Sequence, residues 1–239
     1  MKPLAAYQEV KQKITEDLVR GRFRFGEALP AEKDLSKELD VSIGTLRKAV
    51  DELVSDGIVV RRQGRGTYVA EHDSKRLLYY FFHIVKHDVD KKVYPKVELI
   101  SLNSALANKE EAAKLLIKEG SPVWRIINRL YLEDEPVMVD QITLDKLRFK
   151  NLTRADFINR KGSIYQLYQM QFGQTVVRSK ERLRAGLAGK DHATLLGLED
   201  RSPILLIRRI ALGMQDEPLE FRISILNTQK HEYFSEIVS

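Results

Sequence analysis

The sequence predicts an α+β chain in two unlike parts, and three observations predict it. Residues 7–55 place apolar side chains at helical spacing between Gly and Pro breaks. Residues 58–70 change to two short strand patterns about a Gly-bearing turn. Beyond residue 76, strand and helix patterns alternate and recur after about eighty residues, an offset too long for a solenoid. The expected organisation is a head of residues 1–70, a charged linker at 71–76 and a larger part at 77–239. A chain of 239 residues exceeds what one small core needs, which fits two domains.

In the head, Val10, Ile14, Leu18 and Val19 make an apolar stripe along a helix at Tyr7–Val19, and Gly21 stops it. Pro30 stands before a second helix, Ala31–Leu39, with Leu35 and Leu39 inward. Asp40-Val41-Ser42 is a tight turn, and Ser42 caps a third helix, Ile43–Ser55, that buries Leu46, Val50, Leu53 and Val54. Gly57 ends it, and strands Ile58–Arg62 and Thr67–Ala70 flank Gln63-Gly64-Arg65-Gly66. Two helices across so short a turn, then a basic hairpin, have the spacing of a winged helix-turn-helix. In that motif the start of the second helix meets base edges in the major groove. Here it carries Ser42, Ile43, Gly44, Thr45, Arg47 and Lys48. Thr45 suits a phosphate or base edge, and Arg47 a bidentate contact with guanine or phosphate. The hairpin, with Arg61, Arg62, Arg65 and Thr67, is placed to follow phosphates or enter the minor groove.

Composition narrows the class. Apolar residues make up 43% and charged residues 31%, which is ordinary globular usage. There is no Cys, which excludes disulfides, thiol nucleophiles and thiolate metal sites and fits a reducing cytoplasm. The longest apolar runs, such as Leu77–Phe82, are too short to span a bilayer, and Met1–Tyr7 has no signal-peptide stretch. A cytoplasmic protein with no membrane contact is expected. The net charge of +6 makes an anionic partner plausible, yet it is spread out. Residues 1–70 hold 13 Lys/Arg against 11 Asp/Glu, a net of +2 that leaves +4 for the rest. Local placement, not bulk charge, must carry any nucleic-acid contact.

The string Phe25-Gly26, Leu29-Pro30-Ala31-Glu32, Val41-Ser42, Thr45-Leu46-Arg47-Lys48-Ala49, Asp56-Gly57 and Gly64-Arg65-Gly66-Thr67-Tyr68-Val69 resembles the GntR family of bacterial repressors. The resemblance implies DNA contacts at Lys33, Ser42, Thr45, Arg47, Gln63, Gly64 and Arg65. One departure matters. Ile43, followed by Gly44, stands where most members carry an Arg, so operator sequence does not transfer; Ile43 suits a thymine methyl group instead.

In the larger part, the chain from Ala107 to Leu144 echoes itself from Ala188 to Leu226. Lys109-Glu110-Glu111-Ala112 matches Lys190-Asp191-His192-Ala193, Ser121-Pro122-Val123 matches Ser202-Pro203-Ile204, and Glu135-Pro136-Val137 matches Glu217-Pro218-Leu219. Each copy reads as helix, strand, acidic turn and strand. Two copies suggest one antiparallel sheet with pseudo-twofold symmetry and each half's helix on one face, with a helix at Ser163–Gln171 and a strand at Val176–Ala185 between them. Pro122-Val123, Arg129, Glu135-Pro136, Ser163-Ile164-Tyr165, Phe172-Gly173, Glu181, Pro218-Leu219-Glu220 and Tyr233-Phe234 resemble the UTRA effector domain of the histidine-utilisation-repressor (HutC-type) subfamily, whose fold is chorismate-lyase-like. That resemblance implies an effector site at Arg129, Asp140, Ser163, Tyr165, Glu181 and Glu220. Tyr131, Leu226 and Thr228 stand where phosphosugar-sensing members carry charged or aromatic partners, which favours a small organic acid or a less charged molecule over a phosphosugar.

The expected function is sequence-specific regulation of transcription, most simply repression, by a homodimer on a palindromic duplex operator whose affinity a small metabolite controls. An enzyme of chorismate-lyase-like fold is the alternative, but no catalytic set or Gly-rich phosphate loop stands out. A non-specific architectural protein fits poorly with the near-balanced charge of residues 1–70. His83 and His87 fall in a strand-like stretch, Tyr79–Val85 and beyond, where residues four apart are too distant to share an ion. No metal or cofactor is expected.

Overall fold

A computed structural model describes residues 5–70, 81–160 and 162–235, so the expected linker 71–76 and Tyr79–Tyr80 lie outside the described residues. The chain divides into two compact units at Glu71/His72. The first contains α1 (Ala6–Val19), α2 (Glu32–Glu38), α3 (Ile43–Ser55), β1 (Val59–Arg62) and β2 (Gly66–Val69). Val10, Ile14, Leu35, Leu46, Ala49, Val50 and Leu53 share one buried core with Ile58, Val59 and Val69. Val54, expected inward, is only half-buried.

Helix ends in this unit are set locally. α1 closes with Gly21 at φ 76°, where Gly21 N–H bonds Leu18 C=O and Arg22 N–H reaches back to Asp17 C=O. Gly57 repeats the arrangement after α3: Ile58 N–H bonds Leu53 C=O, so Ile58 belongs to the helix stop and β1 begins one residue later. The turn between α2 and α3 is the same motif with Asp40 at φ 52°, and Val41 N–H bonds Ser36 C=O. Asp tolerates that left-handed conformation better than most side chains. Ser42 then caps α3, accepting from Thr45 N–H at 3.1 Å.

The second unit is built on a six-stranded antiparallel sheet. Its strands are β4 (Lys96–Leu106), β5 (Pro122–Leu132), β6 (Glu135–Asp145), β7 (Arg178–Leu187), β8 (Pro203–Leu212) and β9 (Pro218–Asn227), in the order β4-β5-β6-β9-β8-β7. A short ribbon pairs β3 (Ile84–Lys86) with β10 (His231–Tyr233). Helices α4 (Lys109–Leu115) and α7 (Lys190–Leu196) connect β4 to β5 and β7 to β8; α5 (Arg154–Ile158) and α6 (Ile164–Phe172) lie between β6 and β7.

The strand order reads the same from both edges, and the register locates the axis. Gln141 pairs with Ile223 across β6 and β9, and each is the repeat counterpart of the other. Both halves carry a β-bulge at the same step, Leu130/Tyr131 in β5 and Ala211/Leu212 in β8. α4 and α7 pack on one face of the sheet, over Val123 and Phe221 and over Val139, Ile204 and Ile225. The opposite face carries Ile126, Ile142 and Leu144 under Phe149, Phe157 and Tyr168 from the 146–177 segment. This cover has no counterpart in the second half, so the duplication is symmetric in the sheet and asymmetric above it.

One expectation needs correction. Of the strand expected from Tyr79, Tyr79 and Tyr80 lie outside the described residues, Phe81 is helical, and the strand among the described residues is Ile84–Lys86. The Phe81 carbonyl is taken by Arg209 Nη2 at 2.5 Å, which leaves it unavailable to a neighbouring strand.

The repeat also exposes local strain. α7 stops at Gly197 with φ 65°, whereas α4 stops at the equivalent Leu116 with φ 54°. A non-glycine residue in that conformation costs about 1–2 kcal/mol, and Leu116 is 79% exposed, so its side chain contributes little packing. Leu116→Gly is therefore expected to raise stability by up to about 1 kcal/mol after the extra unfolded-state entropy of glycine is counted; urea unfolding of both proteins checks it.

Candidate DNA-reading face and effector cavity

At the start of α3, Ser42, Ile43, Gly44, Arg47 and Lys48 are exposed, and Thr45 is half-buried. The Thr45 hydroxyl shares a 2.9 Å hydrogen bond with Ser42 Oγ, which orients both at the helix end. Ile43 is 40% exposed, an unusual surface residue with no core role. Lys33, on α2, is exposed as well. Arg47 is held by Glu32, Nε to Oε2 at 2.6 Å, and Arg61 lies between Asp51 at 2.5 Å and Glu32 at 3.7 Å. Lys48 sits 4.0 Å above the Tyr7 ring and Arg62 4.3 Å above the Tyr68 ring. The hairpin turns through Gln63, Gly64 and Arg65, with Arg65 N–H bonded to Arg62 C=O and Gly64 at φ 70°. Arg62, Gln63, Gly64 and Arg65 are exposed, and Thr67 is half-buried beside the Leu29 N–H that its carbonyl accepts. The expected reading residues therefore occur on two adjoining features, a capped helix start and a basic loop.

The second unit contains a cavity of about 290 Å³ on the sheet face opposite α4 and α7. Strand alternation places Asn128, Asp140, Ser224 and Ile207 side by side on this face, because Asn128 pairs with Asp140, Asp140 with Ser224 and Ser224 with Ile207. Tyr94, Arg160, Ser163 and Tyr165 contribute from above, and Phe82, His83 and Tyr233 from the side.

Asp140, Ser163 and Tyr165 line the cavity as expected from the sequence. Ser163 caps α6, accepting from Gln166 N–H at 3.1 Å. Tyr165 donates to Glu220 at 3.3 Å, and burial with the Glu220 charge pushes its pKa up to about 12. Glu181 and Glu220 stand one layer back: Glu181 bonds Arg209 at 2.5 Å and the Tyr233 hydroxyl, and Glu220 bonds Arg222 at 2.8 Å. Arg129 is the correction. It points to the opposite face, donating to Glu98 at 2.8 Å and to the Leu195 carbonyl at 3.3 Å, and does not line the cavity. Its neighbour Asn128 takes the inward position, since adjacent strand residues face opposite ways.

Two buried arginines dominate the cavity floor, and sequence reading missed both. Arg222 bonds Asp140 and Glu220, each at 2.8 Å, and Arg209 bonds Glu181. Burial alone would lower the Arg222 pKa, but the two carboxylates hold it above the ordinary guanidinium value. The repeat carried the signal for both, because Arg222 is the counterpart of Asp140 and Arg209 of Asn128. No such signal marked Arg160. Among the described residues no group of three or more His, Asp or Glu could hold a metal, and His83 and His87 flank β3 instead of sharing its face.

The network sets two stability predictions. Arg222→Met leaves Asp140 and Glu220 buried without a cation and is expected to cost about 3–5 kcal/mol in urea unfolding. Burial pushes the Glu181 carboxyl up, but the charge of Arg209 and bonds from Tyr233 and Arg209 bring it below the ordinary range. Its contribution is thus complete above the unfolded glutamate value of about 4.3 and is lost as pH falls through the lower folded value. Glu181→Gln should flatten that part of the acid limb of a stability–pH curve.

Comparison with known proteins matches each of the two units to a described family. Residues 6–69 match the model of bacterial regulatory proteins of the gntR family, and residues 91–232 match the UTRA domain. The chain is 29% identical over 214 residues to the probable fructoselysine utilization operon transcriptional repressor of Escherichia coli K12, covering 89% of this chain and 86% of that one. It is 30% identical over 209 residues to the histidine utilization repressor of Pseudomonas aeruginosa, covering 87% and 81%. A crystal structure of the ligand-binding domain of a GntR-family regulator from Bordetella bronchiseptica superposes with a TM-score of 0.62 at 28% identity, over 67% of this chain and 99% of that one. YydK from Bacillus subtilis shares the fold over 98% of this chain, with a TM-score of 0.58 at 19% identity. With a GntR-type head and a UTRA domain spanning most of its length, the chain belongs to the GntR family of transcriptional regulators and is a DNA-binding regulator with an effector domain, not an enzyme.

Proposed function

We propose that this regulator is a cytoplasmic repressor that binds a pseudo-palindromic operator as a homodimer and changes its operator affinity when a small organic acid enters the cavity. Residues 1–70 are the reading head and residues 77–239 the sensing and dimerising part. The observation that carries the reading is the free, Ser42-capped start of α3 joined to a wing with exposed arginines. Ser42, Thr45 and Arg47 meet the duplex with Ile43 and Gly44 against base edges, while Lys33, Lys48, Arg62, Gln63, Gly64, Arg65 and Thr67 serve phosphates and the groove rim. Gly44 supports a close approach: a Cβ there would meet only Ser42 Oγ, at 3.8 Å, so its surface is open.

Glu32 holds Arg47 through Nε alone and leaves the exposed Nη1 and Nη2 edge for a base or phosphate. In the cavity, the effector must bind one of two states more tightly to shift operator occupancy. The relatives named for fructoselysine and histidine utilization support a repressor role in a catabolic setting.

Fluorescence anisotropy with the chain's own promoter region tests this. Arg47→Ala should weaken operator binding about 10- to 100-fold and relax specificity, whereas Arg65→Ala should weaken all duplexes alike and reduce the salt slope by about one. Equal affinity of the unmodified protein for promoter and random duplex would refute the reading.

A further inference from the structure

The cationic groups of the cavity are not equivalent. Arg222 directs Nε and Nη2 to Glu220 and Nη1 to Asp140. Arg209 directs Nε to Glu181, Nη2 to the Phe81 carbonyl and Nη1 to the Tyr165 hydroxyl. Each is paired with a carboxylate, and each of its three nitrogens donates a bond. Arg160 is different. It donates one bond, from Nη1 to the Phe157 carbonyl, and its buried Nε has no partner. Among the described residues no carboxylate lies within ion-pair distance of it. Its guanidinium lies 5.7 Å from the Phe157 ring centroid, and burial lowers its pKa.

A second group in the same cavity is also uncommitted. Asn128 is 3% exposed, faces the cavity beside Asp140 and has a buried Oδ1 with no hydrogen-bond partner. Native proteins rarely leave such an atom unmet. A hydroxyl satisfies it, and because a hydroxyl both donates and accepts, it does so whichever way the amide is turned. The rest of the lining mixes apolar Phe82, Ile84, Leu130, Met138 and Ile207 with polar Asp140, Ser224 and His83, whose buried Nδ1 is likewise unpartnered. The volume lies at the small end of the ~300–1,000 Å³ typical of ligand sites.

We infer that the effector is a small hydroxycarboxylate with an apolar body, its carboxylate on Arg160 and its hydroxyl on Asn128. The inference rests on the cavity being the effector site. One open guanidinium matches one carboxylate in charge and in its fork geometry. Among the described cavity residues a phosphate dianion would find one guanidinium without a carboxylate partner, Arg209 and Arg222 being paired with Glu181, Glu220 and Asp140.

The test is a melting-temperature screen of the full-length chain with 3-hydroxybutyrate, mandelate and 4-hydroxyphenylacetate, each beside its amide and deoxy counterpart, with glucose 6-phosphate as the dianionic probe. Calorimetry follows on any binder. A hydroxycarboxylate should raise the melting temperature, its amide should not, and the deoxy acid should bind more weakly. Arg160→Gln should weaken the acid about 10- to 100-fold. Asn128→Leu should make hydroxy and deoxy acids bind equally while leaving the unliganded melting temperature unchanged or higher, since it removes an unbonded polar group. Amides binding as well as acids, glucose 6-phosphate binding with no effect of Arg160→Gln, or no response to any hydroxycarboxylate would each overturn the inference. In those cases operator release by another metabolite would keep the ligand-controlled repressor intact. A hydroxycarboxylate that binds through Arg160 but never alters operator affinity would instead uphold the cavity chemistry and remove the regulatory reading.

Discussion

Antiparallel pairing of β6 with β9 at Gln141 and Ile223 is the constraint on which the larger unit depends. Every other strand of the sheet is placed by a hairpin or a helical crossover within its own half, so this central pairing is the one strand pairing of the sheet that joins the two copies. Its register decides which side chains meet. A slip of one residue would turn Asp140, Arg222 and Ser224 away from their shared face and break the buried network. The recurrence of the bulges at Leu130/Tyr131 and Ala211/Leu212 shows that the two halves kept their geometry as well as their sequence pattern.

Duplication makes a site because the copies diverged at equivalent positions. Asp140 and its counterpart Arg222 lie near the axis with opposite charge, so pseudo-symmetry itself brings an ion pair together. Glu220 completes that pair from below, with Tyr165 and Tyr168 donating to it. Such a network is costly to bury and stable only when fully bonded, which makes the floor of the cavity rigid. The roof has no symmetry mate. α5, α6 and the segment around Arg160 come from the connection between the halves, and this one-sided cover leaves a pocket instead of a closed core.

The head follows a different logic, in which short-range bonds do most of the work. Three helix stops use the same pair of backbone hydrogen bonds, at Gly21, Asp40 and Gly57. They set the helix lengths and therefore the angle at which Ser42 starts α3. Salt links between Lys11 and Glu52 at 2.9 Å and Asp56 at 2.7 Å tie α1 to the far end of α3, away from the reading end. Glu32 restrains Arg47 and Arg61 near the Ser42 end of α3, so these basic groups are held in place within the head.

Helices, turn and wing of the head were legible in the sequence because periodicity, caps and left-handed stops are local properties of a few neighbouring residues. The repeat and the sheet's symmetry could be read from spacing, and the cavity-lining Asp140, Ser163 and Tyr165 from family resemblance alone. Tertiary structure alone decided which face each strand residue took. That is why Arg129 proved to clamp Glu98 and α7 while Asn128 turned inward: adjacent strand residues face opposite ways, and which of the two faces holds the cavity is set by what packs on each. Arg160 and the Phe81 carbonyl were equally hidden, since a loop guanidinium and a backbone oxygen acquire meaning only when distant segments bring them to one cavity.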